Sequence, residues 1–204
     1  MKEYYMSQTK IDELFDRLES LQIELEKELE RKLKEKRVLF QYTLKKGKVR
    51  FEKHIHALQR QYKKGIFPYL RDAKLTHVLS SPIVYSVIVP LVIIDLSVSF
   101  YQHTCFRLYN IQRVKRSNYI VIDRQHLAYL NVIEKLNCMY CGYGNGVMAY
   151  VREVIARTEQ YWCPIKHANK ITDAHHLNDH FVDYGDAQAY KDKLEDIRQL
   201  LTKK

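Results

Sequence analysis

Cys138, Cys141, Cys163 and His167 fall within thirty positions as C-x2-C, a gap of 21 residues, then C-x3-H. This is the ligand inventory of a Cys3His metal site. Thiolate sulfur and imidazole nitrogen are donors that suit zinc or iron, so one of these ions is the cofactor the residue types predict. The chain has only four cysteines, the fourth being Cys105, so three of its thiols lie in one short region. The same residues permit other arrangements. Cys163 and His167 could join His176 and His180, which share a face if that segment is helical. Cys138 and Cys141 could instead form a thiol pair, activated by a helix starting at Asn145 whose N-terminal dipole favours the thiolate. Finally, the cysteines could be small buried residues and the histidines ordinary surface groups.

Acid–base candidates surround this region. Arg152, Glu153, Arg157 and Glu159 are spaced for ion pairs on a solvent-facing helix, or for a polar groove beside the cysteines. Asp123 and His126 form a D-x-x-H pair, although Asp123 also fits a helix N-cap and no second carboxylate–histidine set completes a di-iron centre. There is no G-x-x-x-x-G-K-[ST], G-x-G-x-x-G, G-x-S-x-G or H-E-x-x-H, so the common nucleotide, esterase and zincin mechanisms lack their parts.

The elements that must carry these groups are mainly α-helical by pattern. Ile11, Leu14, Leu18, Leu21, Leu25, Leu29 and Leu33 recur at three- and four-residue steps, the stripe of an amphipathic N-terminal helix. Its change from a 3-4 to a 4-4 step after Leu25 predicts a short helix–helix contact, within the chain or in a homodimer through residues 11–33, rather than a long coiled coil. Residues 38–52 alternate apolar and polar around Lys45-Lys46-Gly47-Lys48 and predict a small β-hairpin. A short strand at 119–122 and a helix over 124–137 capped by Asp123 are expected next, with Ile122 and Leu127 as a hydrophobic staple. The run Cys138–Gly146 then breaks the helix, and Asn145 caps a second one that ends near Trp162 before Pro164. That makes an αα-hairpin with cysteines at its tip. Asp186 caps a final helix bearing Ala189, Leu194, Ile197 and Leu201.

Charge is strongly localised. The 204 residues carry a formal net charge of +10. Residues 1–30 hold four basic and nine acidic side chains, whereas 31–64 hold thirteen basic against two acidic. Lys45, Lys46, Lys48, Arg50, Lys63 and Lys64 are the expected contacts to lipid or phosphate. A basic stretch interleaved with aromatic residues suits anionic lipid or a nucleic-acid backbone, and the apolar segment that follows favours lipid.

Residues 78–100 contain no Lys or Arg. Pro82 opens this run, Pro90 would kink it, and Asp95 would cost about 3 kcal/mol at mid-bilayer unless paired or wet. These three residues shape the insertion, and basic residues flank both ends. A Pro-kinked, shallow or re-entrant helix therefore fits better than a plain crossing, with a single-pass span or a buried core helix as alternatives. Residues 1–30 lack the apolar core of a secretory leader, so the expected location is the cytoplasmic face of a membrane. The expected organisation is a charged arm over 1–64, a membrane-associated segment and connector over 65–117, and a helical Cys/His region over 118–204.

Ser-Pro-Ile-Val-Tyr-Ser at 81–86, Val-Pro-Leu-Val-Ile-Ile-Asp at 89–95, Tyr-Cys-Gly-Tyr at 140–143 and Arg-Thr-Glu-Gln-Tyr-Trp-Cys-Pro-Ile-Lys-His at 157–167 resemble an uncharacterised family of small bacterial proteins. The resemblance implies a bacterial origin; it carries no activity and transfers no functional residue. The functional expectation rests on the residues: a membrane-associated interaction module with a candidate Cys/His metal site. The alternatives are an enzyme at the membrane surface, using Cys138, Cys141 or Cys163 with Glu153, Glu159 or His126, and a nucleic-acid-binding protein acting through 31–64.

Overall fold

The computed structural model describes the backbone of residues 2–45 and 48–202, and the side chains of 13–44 and 49–202. The chain is mainly α-helical with one two-stranded antiparallel sheet. It divides into two units, residues 1–63 with 126–129, and residues 64–125 with 130–204.

The first unit is led by helix α1, Lys2–Leu39. Leu, Glu, Lys and Arg dominate it, residues that lose little side-chain freedom in a helix. Arg31 adds ion pairs to Glu28 and Glu35, one turn away on either side, and Lys34 reaches Glu30 at 3.2 Å. The helix runs past the expected strand start at Val38, because Phe40 N–H still donates to the Lys36 carbonyl. Gln41 then turns the chain with φ of 48°. Strands β1, Tyr42–Lys45, and β2, Lys48–Phe51, pair with Tyr42 opposite Phe51, whose rings are 5.5 Å apart. The expected hairpin is therefore present. Its turn residues, Lys46 and Gly47, lie outside the described residues. Helix α2, Lys53–Gln61, follows, and Gln59 Oε1 accepts from the Ala128 N–H at 3.2 Å.

The second unit contains α3, Ile66–Arg71, α4, Leu75–Ser86, and α5, Ile88–Tyr101, which continues into a π-helical turn at Gln102–Phe106. Beyond them are α6, Val132–Trp162, a 3-10 turn at His176–His180, and α7, Ala187–Gln199, which Asp186 caps through the Ala189 N–H as expected. Val147, Tyr150, Val151 and Val154 of α6 form the core with Phe106, Ile111, Val114 and Leu201. Leu91, Val98 and Tyr101 of α5 pack against it.

Two expectations change here. The 119–122 segment is not a strand; it follows a 3-10 turn at Arg116–Asn118. The helix expected from Asp123 starts instead at Val132. Asn131 Oδ1 accepts from the Glu134 N–H at 3.0 Å, and the Glu134 carboxylate accepts from the Asn131 N–H at 2.8 Å. This reciprocal capping box fixes the start.

The αα-hairpin is also replaced, because α6 runs unbroken through Cys138–Gly146. Its glycines serve packing rather than turning. A Cβ at Gly146 would sit 2.7 Å from the Tyr119 carbonyl oxygen and 2.8 Å from the Ile120 Cα; one at Gly142 would sit 3.3 Å from the Val121 oxygen. Gly144 lies against Leu91 of α5. Each helical glycine costs roughly 1 kcal/mol relative to alanine; the close approach of the 119–121 backbone and of α5 offsets it. Asn145, the expected cap, is inside the helix and donates to the Cys141 carbonyl one turn back.

Candidate functional site

Helix α5 carries two opposed stripes. Leu91, Asp95, Val98 and Gln102 fall at steps of four, three and four, and turn inward. Val89, Ile93, Leu96 and Phe100 repeat the same steps on the other side and are 59, 58, 66 and 75% exposed. Asp95 and Gln102 thus face the protein, and the four large apolar residues of the second stripe face out. Leu75, Leu79 and Ile83 of α4 are exposed as well. By length and composition the stretch Leu75–Phe106 could cross a membrane: 32 residues with a mean hydropathy of 2.3 over its most apolar window.

The inward stripe is fully bonded. Asp95 is 5% exposed. It accepts from Arg116 Nε at 2.9 Å and Nη2 at 2.6 Å, a bidentate pair, and from the Tyr143 hydroxyl at 2.9 Å. Burial pushes the Tyr143 phenol up, and its hydrogen bond to Asp95 adds to this, so Tyr143 stays a donor through the neutral range. Two turns on, Gln102 Nε2 donates to the Tyr150 hydroxyl at 2.6 Å and to the Val114 carbonyl at 3.2 Å, while its Oε1 accepts from the Val114 N–H. The carboxylate that would burden an inserted helix is therefore turned inward and paired.

The prolines are accommodated differently. Pro82 lies inside α4 and leaves the Val78 carbonyl without its helical N–H; the Ser81 hydroxyl donates to that carbonyl at 2.8 Å. Pro90 lies in the first turn of α5, and the helix is interrupted at Val87, three residues earlier. Tyr140 of α6 donates to the Val84 carbonyl at 2.7 Å beside this break, and Tyr85 donates to Asn137.

The structure does not bring Cys138, Cys141, Cys163 and His167 together. Cys138 and Cys141 are one turn apart on α6, and Cys163 caps its far end. Twenty-two residues at 1.5 Å each separate Cys141 from Cys163 by about 33 Å. The helical gap therefore prevents one chain from closing a shared four-ligand site. Among the described residues, no three Cys, His, Asp or Glu side chains are grouped to hold a metal ion, and this includes the alternative set with His176 and His180.

Those two histidines meet a different group. Glu153, Arg157 and Gln160 of α6 line a cavity of about 290 Å³ with His176, His180 and Gln112. Arg157 pairs with Glu153 at 2.8 Å and donates to the Gln112 carbonyl at 2.7 Å. His176 Nδ1 lies 3.8 Å from Glu153, and His175 Nε2 lies 2.8 Å from Glu159. The polar residues expected along 152–159 thus divide: Glu153 and Glu159 face the histidines of the 175–180 segment, Arg157 ties Glu153 to the Gln112 carbonyl, and Arg152 reaches Asp173 at 3.1 Å.

Of the expected lipid contacts, Arg50 is exposed, Lys46 lies outside the described residues, and Lys64 is held by Asp72 at 2.7 Å. The Lys64 ammonium keeps the Asp72 carboxyl below the usual carboxylate range. Sequence reasoning missed Arg116 and Tyr143 as partners of Asp95. An acidic residue within an apolar run requires such partners, but nothing in the local pattern identifies them at 21 and 48 positions' distance. Comparison with protein-family models, with curated proteins and with solved structures finds no match to this chain.

Proposed function

We propose that this protein is a membrane-associated interaction module on the cytoplasmic side of a bilayer, seated through the outward face of α4 and α5. The observation that carries the reading is the division of α5, with its polar stripe bonded inward and its apolar stripe facing out. Water disfavours a continuous apolar face of this kind, whereas hydrocarbon accepts it. The break at Val87 and the basic residues at both flanks suit a shallow or re-entrant seat, with single-pass insertion as the competing topology. The test is flotation of the full chain with lipid vesicles. Co-flotation that survives high salt is expected, since apolar burial is not screened; a chain left at the bottom of the gradient would remove the proposal. The nucleic-acid alternative predicts the opposite pattern, binding to nucleic acid without lipid that falls steeply with salt.

We further propose that α1 pairs with α1 of a second copy, and that the pair is antiparallel. Leu14, Leu18, Leu21, Leu25, Leu29 and Leu33 are all exposed. Residues 13–30 carry seven acidic and two basic side chains, and 31–37 carry five basic and one acidic. Antiparallel pairing sets Leu14 beside Leu33 and Leu18 beside Leu29 of the second copy, with Glu13 and Asp16 near its Arg31 and Lys34. Parallel pairing would stack like charge on like. In sedimentation of the detergent-solubilised chain, Glu13→Lys with Asp16→Lys should raise the dimer dissociation constant about tenfold or more. Adding Arg31→Glu and Lys34→Glu should restore it. Undiminished pairing of the first variant would contradict the antiparallel arrangement.

A further inference from the structure

We infer that the cavity closing the C-terminal end of α5 is a phosphate-binding site, and that its ligand is the headgroup phosphate of an anionic lipid. The lipid source rests on the membrane reading above; the phosphate chemistry does not.

The cavity measures about 380 Å³ and is lined by His103, Phe106, Arg107, Asn110, Ile111 and Arg113. It has room for a phosphate and part of the group it esterifies. Its floor is rigid, because Phe106 and Ile111 are both buried in the core. The helix end folds into a Schellman closure: Asn110 takes φ of 57°, its N–H donates to the Arg107 carbonyl, and the Ile111 N–H donates to the Phe106 carbonyl at 2.8 Å. Two carbonyls at the negative end of the helix are thereby occupied, which lessens their repulsion of an anion.

The rim is cationic and uncommitted. Arg116, Arg152, Arg157 and Arg198 each pair with a carboxylate. Arg107 and Arg113 pair with none among the described residues, although both are exposed at one cavity. His103 Nδ1 lies 2.7 Å from the Ser99 carbonyl oxygen, so Nδ1 carries a proton and that bond fixes the ring beside the recess. The two guanidinium groups around one recess supply the charge-assisted donors that phosphate takes.

Position selects the lipid source. The outward apolar stripe of α5 ends at Phe100, and exposed His103 and Arg107 follow three and seven residues later. Seven residues at 1.5 Å place Arg107 about 10 Å past Phe100. Headgroups occupy roughly 5–8 Å beyond each side of the hydrocarbon, so in a shallow seat with the helix inclined by about 45° Arg107 stands about 7 Å out, at headgroup level.

The experiment is flotation of the full chain with phosphatidylcholine vesicles and with vesicles that also contain phosphatidylglycerol. Three chains are compared: wild type, Arg107→Gln with Arg113→Gln, and Lys191→Gln with Lys193→Gln on α7 as a control that removes the same charge elsewhere. All four substituted positions are exposed, and near-ultraviolet circular dichroism checks that the folds match. The cavity variant should lose about thirtyfold in affinity for the anionic vesicles, the control much less, and binding to phosphatidylcholine alone should persist in all three. Equal losses in both variants would mean diffuse attraction and overturn the site. Wild type that floats with neither vesicle would remove the membrane reading; titration with inorganic phosphate and glycerol phosphate then decides the phosphate chemistry separately, through chemical-shift changes that the cavity variant lacks. Free phosphate that displaces the protein from anionic vesicles would make the ligand soluble phosphate. Binding of a short RNA that is lost with the two arginines would replace lipid by nucleic acid.

Discussion

Arg116→Ala should destabilise the fold by about 3 kcal/mol, the cost of leaving a buried carboxylate without its charge partner. Asp95 is almost wholly buried and takes two of its three hydrogen bonds from Arg116, leaving only the Tyr143 hydroxyl in the variant. The side chain of Arg116 is half-exposed, so the loss comes mainly from Asp95. Chemical denaturation of the detergent-solubilised chain measures it. The double variant Asp95→Leu, Arg116→Leu separates this origin from a general effect of losing a surface arginine: with no buried charge left to satisfy, it should recover at least half of the lost stability. A double variant as unstable as the sum of both singles would mean that the pair is not coupled.

Ile93→Lys with Leu96→Lys should abolish vesicle flotation without unfolding the protein. Both residues are more than half exposed and belong to the outward stripe, so neither substitution opens a cavity in the core. A lysine at the centre of an inserted helix costs about 2.5–3.5 kcal/mol, and one near the interface less. Two of them therefore weaken insertion by about 3 kcal/mol or more, at least a hundredfold in partition. Unchanged helical circular dichroism combined with lost flotation is the expected pair of results. Flotation that survives both lysines would place the bilayer contact elsewhere on the chain.

Legibility in the sequence followed the range of the forces involved. The α1 stripe, the hairpin and the Asp186 cap are local patterns and appear as expected. The start of α6 was also written locally, in Asn131-Val-Ile-Glu134, but Asp123 offered a competing cap eight residues earlier. The larger difference arose at Cys138–Gly146. Three glycines on alternate positions read as a loop, because intrinsic propensity disfavours them in a helix. Tertiary packing reversed that preference: Gly142 and Gly146 let the 119–121 backbone approach α6, and Gly144 admits Leu91. With the helix unbroken, the spacing that suggested a shared Cys3His site became a separation of about 33 Å. Asp95 shows the opposite case. Its cost in an apolar segment was evident from the sequence, but its relief depends on Arg116 and Tyr143, and that juxtaposition exists only in the fold.

The two faces of α5 give the most direct test. Trp162 is the only tryptophan, so Trp162→Phe with Ile93→Trp places a single fluorophore on the outward stripe. Vesicles whose lipids carry bromine along the acyl chains report its depth. Strong quenching of Trp at position 93, with a blue-shifted emission, is the result expected of a stripe seated in hydrocarbon. An unquenched, water-like emission from a chain that retains its helical dichroism would contradict the membrane seat, and with it the proposed function.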